Sequence, residues 1–135
     1  MSKIASIIGI DHIGYAVKDM TAAQNCFAAL GYEIDGKGVD EVRKVQVAVG
    51  IRDGVSIELL APLPGCKSPL DGYLQKVGST PYHICYRVSN METAIASMQD
   101  AGFTQLGIPT SSIPLGGVVC FLYKDEVGIV ELIER

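Results

Sequence analysis

The chain has 135 residues, of which 48% are hydrophobic and 19% charged, and its formal net charge is −4. This length and apolar content suit one folded domain and exclude a disordered chain. The acidic balance and the absence of any basic run argue against a nucleic-acid-binding protein, because such proteins concentrate Lys and Arg. No apolar stretch approaches the roughly 18 residues that a membrane helix requires.

The four cysteines, Cys26, Cys66, Cys85 and Cys120, contain no Cys-x-x-Cys pair. The apolar opening at residues 4–10 is short and runs directly into a charged residue, which is wrong for an export signal. We therefore expect a cytoplasmic protein with reduced thiols.

The chain contains an internal repeat. His12 and His83 are equivalent positions at an offset of 71, and the flanking residues match at the same offset. Later in each half, Glu58 and Glu131 are equivalent at an offset of 73, so each half carries one early His and one late Glu. The matching residues near the histidines are Ile13, Tyr15, Val17, Met20, Ala23 and Gly31 in the first half and Ile84, Tyr86, Val88, Met91, Ala94 and Gly102 in the second.

In the first half, the alternation of His12–Val17 predicts a strand. Asp19 can cap a following helix, and Gly31 is placed to end it in a left-handed conformation. Two further strands are predicted at Lys44–Val49 and Val55–Ala61. The predicted core face of the helix consists of Ala23, Phe27 and Leu30.

The second half repeats this pattern, with Asn90 as the helix cap and Gly102 as its end. Strands are predicted at Val118–Tyr123 and Gly128–Glu134. Each half is therefore interpreted as a βαβββ module, and the chain as an α+β protein. The predicted core face of the second helix consists of Ala94, Met98 and Ala101.

We predict a single domain over residues 1–135, with modules at about 8–61 and 82–135. The segment Pro62–Pro81 is rich in Pro and Gly and is interpreted as a linker with a short helix at Pro69–Val77. A second irregular stretch, Gly107–Gly117, is expected to be either a mobile loop beside a site or a surface connection.

Glu58 and Glu131 each lie within a strongly apolar predicted strand. Glu131 shares its face with Ile129 and Ile133, which are not typical of a solvent-facing surface. Taken singly, each Glu is more simply explained as a surface or salt-bridged residue, and each His as a hydrogen-bonded core residue. An ionised carboxylate in apolar surroundings needs a cation beside it, however, because burying it alone is costly.

The repeat changes this interpretation, because two His and two Glu supplied symmetrically form a set of two nitrogen and two oxygen ligands. Such a set suits one divalent transition metal with open positions for water or substrate. It favours Zn²⁺, Ni²⁺, Co²⁺ or Fe²⁺ over Mg²⁺ or Ca²⁺. Three small residues on the faces of the histidines leave room for a ligand, namely Gly14, Ala16 and Cys85.

The sequence resembles the vicinal oxygen chelate (glyoxalase/bleomycin resistance/dioxygenase) superfamily over essentially its whole length. The resemblance is to its short bacterial glyoxalase I (lactoylglutathione lyase) branch and equally to methylmalonyl-CoA epimerases. It implies two βαβββ modules forming a cupped mixed β-sheet around a metal, helices on the outer face, and a homodimer. The segments that carry it are Asp-His-Ile-Gly-Tyr-Ala-Val, Ile-Glu-Leu-Leu-Ala-Pro, Ser-Pro-Leu-Asp-Gly-Tyr-Leu, Tyr-His-Ile-Cys-Tyr-Arg-Val and Gly-Ile-Val-Glu-Leu-Ile-Glu.

By this resemblance, His12, Glu58, His83 and Glu131 are the ligands of one divalent metal ion, Ni, Co or Zn. Glu131 is then expected to leave the metal and act as the catalytic base, with Glu58 as its partner on the opposite side. Glu at the second ligand position is usual in glyoxalase I, whereas some epimerases carry Gln there.

The chain also departs from both groups. Better-known bacterial glyoxalases hold glutathione with an Arg after the first His and an Asn after the first Glu, where this chain has Ala16 and Val17 and then residues 60–62, Leu-Ala-Pro. No Glu occurs in Lys44–Val49, where some epimerases place a second base.

Three functions are therefore considered. The first is a glyoxalase I-type lyase that moves a proton next to a carbonyl in the hemithioacetal of methylglyoxal and a thiol, through a metal-stabilised enediolate. The alternative is a methylmalonyl-CoA epimerase, and the third is a metal-free drug-binding resistance protein. Four basic residues are candidates for contact with the phosphates of an acyl-CoA, although they are more simply explained as solvated surface residues. They are Arg43, Lys44, Lys67 and Lys76.

Overall fold

The computed structural model describes residues 2–135, and within this range the chain forms eight strands and three helices. A βαβββ module is followed by a short helix and a second βαβββ module, which confirms the predicted α+β class and the duplication. The elements are β1 (Ile7–Ala16), α1 (Met20–Ala29), β2 (Glu33–Asp40), β3 (Val45–Arg52), β4 (Val55–Pro62), α2 (Asp71–Lys76), β5 (Thr80–Val88), α3 (Met91–Asp100), β6 (Thr104–Ser112), β7 (Gly117–Lys124) and β8 (Gly128–Glu134).

The chain divides into two compact units. The N-terminal unit consists of His12–Tyr82, and the C-terminal unit combines the residues up to Asp11 with His83–Arg135. Strand β1 passes from the C-terminal unit into the N-terminal unit between Asp11 and His12. Across residues 2–135, no helix is long and apolar enough to cross a membrane.

In the N-terminal unit, β4 is the strand that positions Glu58. Its parallel neighbour β1 places Gly14 opposite Glu58, and its antiparallel neighbour β3 places Val49 opposite the same residue. Strand β2 pairs with the other side of β3. Because paired residues project from the same side of a sheet, Glu58 lies between Gly14 and Val49 on one face.

The C-terminal unit repeats this arrangement around Glu131. Strand β8 runs parallel to β5, with Cys85 opposite Glu131, and antiparallel to β7, with Phe121 opposite Glu131. Strand β6 pairs with the other side of β7. In both units, therefore, the glutamate occupies the strand between a parallel and an antiparallel neighbour.

The ends of α1 and α3 follow the predicted signals. The Asp19 side chain accepts a hydrogen bond from the backbone N–H of Ala22, and the Asn90 side chain accepts one from Thr93, both at 2.9 Å. Gly31 has φ +94° and Gly102 has φ +97°, the left-handed region in which a β-carbon is strained. Both caps and both glycine ends are therefore confirmed.

The prediction that Leu30 belongs to the core face of α1 is wrong, because this side chain is 62% exposed. The helix ends at Ala29 and Leu30 is its C-cap. The helical periodicity that placed Leu30 on the same face as Phe27 therefore no longer applies at this residue. Its carbonyl instead accepts a hydrogen bond from Nη1 of Arg52 at 2.6 Å.

The segment Gly107–Gly117 is not wholly irregular, since β6 extends through Ser112. The pairing of β6 with β7 shifts register between Leu106 and Thr110, in the stretch that contains Pro109. Because β6 pairs on one side only, a proline there costs no ladder hydrogen bond to a second neighbour. The prolines of this segment, from which an irregular loop was expected, therefore lie in and after an edge strand that contains a bulge.

The linker helix α2 is shorter than predicted, and it covers one face of the N-terminal unit. Leu70 and Leu74 are buried there, and the ring of Tyr73 packs against that of Tyr82 at 5.5 Å between centroids. The apolar cluster beneath them consists of Ala16, Val45, Val47 and Leu60.

Candidate metal centre

The N-terminal unit brings His12 and Glu58 together. Nε2 of His12 lies 3.2 Å from Oε1 of Glu58. The two residues are 3% and 4% exposed, so the pair is withdrawn from solvent. Gly14, which is directly opposite Glu58 on β1, contributes no side chain to this face.

The C-terminal unit brings His83 and Glu131 together in the same way. Nε2 of His83 lies 3.0 Å from Oε1 of Glu131, and the residues are 4% and 2% exposed. The ring of Phe121 meets the imidazole edge-on, with 5.4 Å between centroids and an interplanar angle of 87°. This edge-on arrangement is one of the favourable geometries for a pair of aromatic rings.

The chemistry of the four buried side chains fits a divalent transition metal. An ionised carboxylate with so little exposure requires a positive partner, which is either a protonated imidazole or a bound cation. Each pair offers one imidazole nitrogen and one carboxylate oxygen, which are donors typical of sites for Zn²⁺, Ni²⁺ and Co²⁺.

Small and apolar residues line the faces that carry the two pairs. In the N-terminal unit, Ala16 and Leu60 belong to the cluster closed by α2. In the C-terminal unit, Cys85 and Ile133 form a smaller cluster with Val119, against which Leu115 packs. Such surroundings exclude water and strengthen the electrostatic interactions of the paired groups.

A second polar cluster in the C-terminal unit was not predicted from the sequence. Nη1 and Nη2 of Arg135 lie 2.6 and 3.3 Å from the two carboxylate oxygens of Asp11, and Nη1 of Arg87 lies 3.9 Å from the same carboxylate. The hydrogen bond that Arg135 donates to Asp11 raises the pKa of Arg135 above its usual value. One feature of the sequence could have indicated this cluster. The alternation of residues along β5 places Arg87 on the same face of the strand as His83.

The four basic residues that are candidates for contact with acyl-CoA phosphates either pair with a neighbouring carboxylate or are exposed to solvent. Nη1 of Arg43 lies 2.8 Å from Asp40, and Nζ of Lys44 lies 3.7 Å from Glu41. Lys67 and Lys76 are exposed.

The chain is similar to known proteins over most of its length. A family model described as the Glyoxalase/Bleomycin resistance protein/Dioxygenase superfamily matches residues 11–121. None of the curated proteins matches the sequence.

Several solved structures share the fold. Methylmalonyl-CoA epimerase from Mycobacterium tuberculosis is 20% identical with a TM-score of 0.85, covering 100% of this chain and 93% of that one. A variant of Streptomyces coelicolor methylmalonyl-CoA epimerase in complex with 2-nitronate-propionyl-CoA is 26% identical with a TM-score of 0.81, covering 96% and 99%. A hypothetical protein from Bacillus halodurans C-125 is 26% identical with a TM-score of 0.80, covering 93% of each chain. These likenesses confirm the predicted fold.

Proposed function

The chain belongs to the glyoxalase/bleomycin resistance protein/dioxygenase superfamily, and from this premise we propose that it is a divalent-metal-dependent acyl-CoA epimerase. The proposed substrate class is that of methylmalonyl-CoA, in which the carbon next to the thioester carbonyl carries an exchangeable proton. The observation that carries the proposal is the buried His–Glu pair, which occurs once in each unit at equivalent repeat positions. The solved epimerases that match nearly the whole chain support this substrate class over the hemithioacetal expected first from the sequence.

We propose that His12, Glu58, His83 and Glu131 together hold one divalent ion. Each pair offers one imidazole nitrogen and one carboxylate oxygen, and the buried carboxylates lower their electrostatic cost by binding a cation. Ni²⁺, Co²⁺ and Zn²⁺ are the candidates. When bound, such an ion stabilises the negative charge that develops on the substrate oxygens as the proton leaves.

Glu131 is proposed as the base. Its carboxylate accepts the proton from the carbon next to the thioester carbonyl, and the electron pair of that bond moves towards the carbonyl oxygen. Return of a proton to the opposite side of the same carbon completes the epimerisation. A second group that can hold a proton is therefore required.

Glu58 is proposed as this second group. Strand β3 carries no Asp or Glu, and its residues Val45 and Val47 are buried beneath α2. In the N-terminal unit, Glu58 is consequently the carboxylate available from β3 and β4 on the face of His12. The two carboxylates of the duplicated pair then divide the two proton transfers between them.

A glyoxalase I-type reaction is the second candidate, favoured by the presence of Glu rather than Gln at position 58. Against it, the positions expected to hold the carboxylates of glutathione contain Ala16 and Leu60, which are buried in an apolar cluster. A metal-free drug-binding protein is disfavoured by the complete ligand set. The homodimer expected from the resemblance stays a prediction.

The proposal is tested by assaying the protein loaded with Ni²⁺, Co²⁺ or Zn²⁺ on methylmalonyl-CoA and on the methylglyoxal–glutathione hemithioacetal in parallel. We expect solvent deuterium to enter methylmalonyl-CoA next to the thioester, and no lactoyl thioester to form from the hemithioacetal. The Glu126→Gln variant, altered at an exposed residue of a β7–β8 turn, serves as the control and should match the wild type. Turnover of the hemithioacetal alone would replace the proposal by the second candidate. No stoichiometric metal and no activity on either substrate would favour the drug-binding function.

A further inference from the structure

We propose that Arg87 and Arg135, held in place by Asp11, form a binding site for an anionic group of the thiol carrier, specifically a phosphate of coenzyme A. The identity of this carrier rests on the proposed function. The cluster lies entirely within the C-terminal unit.

The strand pattern places the cluster on the same face as the proposed metal ligands of this unit. Arg87 follows His83 by four residues on β5, and an even separation along a strand returns the side chain to the same face. At about 3.3 Å per residue, the two positions are about 13 Å apart along the strand. A group bound at the arginines would therefore belong to a long substrate whose reactive end lies at His83 and Glu131.

Both guanidinium groups are held by backbone carbonyls as well as by Asp11. Nε of Arg135 donates to the carbonyl of Leu115 at 3.0 Å, and Nη1 of Arg87 donates to that of Ile10 at 2.7 Å. A β-carbon at Gly9 would collide with the guanidinium of Arg87, so the glycine provides the room that this side chain occupies. Such anchoring lowers the entropy lost when an anion binds.

The cluster contains two guanidinium groups and one carboxylate in contact with them. Both guanidinium groups contact Asp11, and Glu131 also acts electrostatically on Arg135, in a chain whose formal net charge is −4. The Asp11 side chain is only 12% exposed, whereas those of Arg87 and Arg135 are 46% and 41% exposed. The positive groups therefore face the solvent while the negative group is covered, and donors remain available for a phosphate or carboxylate.

The equivalent positions in the other half carry no charge. At the repeat offset of 71, Arg87 corresponds to Ala16, and at the offset of 73, Arg135 corresponds to Pro62. Ala16 is buried in the apolar cluster under α2. The arginines are thus not required by the repeated strand arrangement itself, which favours a role in recognition.

The test measures binding of coenzyme A by titration calorimetry, without turnover, to the full-length protein and to Arg87→Gln and Arg135→Gln. We expect each substitution to raise the dissociation constant for coenzyme A about tenfold, because a charge-assisted contact is lost. Pantetheine, which lacks the phosphates, should bind equally to all three proteins.

Arg52→Gln is the matched control. Arg52 also donates to a backbone carbonyl, that of Leu30, and its Nε lies 3.3 Å from the Asp53 carboxylate. On β3, however, Arg52 is an odd number of residues from Val49, the residue opposite Glu58, so it lies on the other face of the sheet. Its loss should leave coenzyme A binding unchanged. Arg87→Lys and Arg135→Lys, which keep the charge, should recover part of the affinity and guard against misfolding of the Gln variants.

Unchanged coenzyme A binding in folded Arg87→Gln and Arg135→Gln would overturn the inference. Glutathione is titrated in the same way. Loss of glutathione binding in the two Gln variants, with coenzyme A binding intact, would also overturn the inference, since the anion bound by the arginines would then be a peptide carboxylate. A protein that binds coenzyme A through these arginines but does not turn over methylmalonyl-CoA supports the inference and refutes only the proposed reaction. Turnover of methylmalonyl-CoA with no effect of the arginine variants refutes only the inference.

Discussion

The two units contain the same buried His–Glu pair but differ in what surrounds it. In the N-terminal unit, the face beyond Glu58 is apolar and covered by Leu70 and Leu74. In the C-terminal unit, the apolar cluster is smaller, and the same face also carries the charged residues Arg87 and Arg135. The duplication therefore preserves the groups suited to metal binding and proton transfer, while the neighbouring residues are free to differ in substrate recognition.

The largest effect is expected from Glu131→Gln, which removes the proposed base of the C-terminal unit. Turnover of methylmalonyl-CoA should fall about 10³-fold, or about 4 kcal/mol in transition-state stabilisation. The measurement is the initial rate at saturating metal, with metal content determined on the same sample. A variant that retains its metal and turns over at the wild-type rate would exclude Glu131 as the base.

Glu58→Gln tests whether the N-terminal pair has the complementary role. We expect epimerisation to fall about 10²-fold, while one stereoisomer of the substrate still exchanges its proton with solvent through Glu131. Stereochemically resolved deuterium exchange, followed by NMR, separates the two processes. An equal loss of exchange for both stereoisomers would show that the carboxylates do not divide the transfers.

Removal of metal should destabilise both units through their buried carboxylates. A ligand present at 100 times its dissociation constant stabilises the folded protein by about 2.7 kcal/mol. We therefore expect the Tm to fall on the order of 10 °C after chelation and to recover with Ni²⁺, Co²⁺ or Zn²⁺, measured by calorimetry. Glu126→Gln should show the same fall, whereas a chelator-independent Tm would argue against a shared ion.

The leucines that pack over the two faces, Leu74 in the N-terminal unit and Leu115 in the C-terminal unit, should contribute differently to the free energy of unfolding. Leu74→Ala is expected to lower the free energy of unfolding by about 2 to 3 kcal/mol, because Leu74, on α2, is buried against the apolar cluster of the N-terminal unit. Leu115→Ala, at a partly buried residue, should lower it by about 1 kcal/mol. Urea denaturation of the two variants measures the difference, and equal values would contradict the comparison.

The smallest effects are expected at the helix caps, where the two units are most alike. Asp19→Ala and Asn90→Ala each remove one hydrogen bond of 2.9 Å to the first turn, so each should cost about 1 kcal/mol. Neither residue belongs to the proposed site, and both variants should keep the wild-type rate. A cost above about 2 kcal/mol at one cap alone would show that the helices are held differently.

Much of the fold follows from local signals. The caps at Asp19 and Asn90 and the glycines at 31 and 102 act within one or two turns of chain, so their effects are legible in sequence. Strands β2 and β6 escaped individual prediction, because an exposed edge strand lacks the apolar alternation of a buried one. Leu30 was misplaced because periodicity does not reveal the residue at which a helix ends.

The candidate site shows the same division. The repeat alone singled out His12, Glu58, His83 and Glu131, since equivalent residues in equivalent strands occupy equivalent positions. Folding added the pairing of each His with the Glu of its own unit, at 3.2 and 3.0 Å, and the depth of burial at which an ionised carboxylate requires a positive partner.

Arg87, Asp11 and Arg135 illustrate what the amino-acid sequence could not reveal. Arg135 and Asp11 are 124 residues apart, and no periodic pattern relates them. Strand alternation is a local property that indicates which residues share a face. The distance between two charges from remote segments depends on which strands become neighbours, and hydrophobic burial across the whole chain determines that choice.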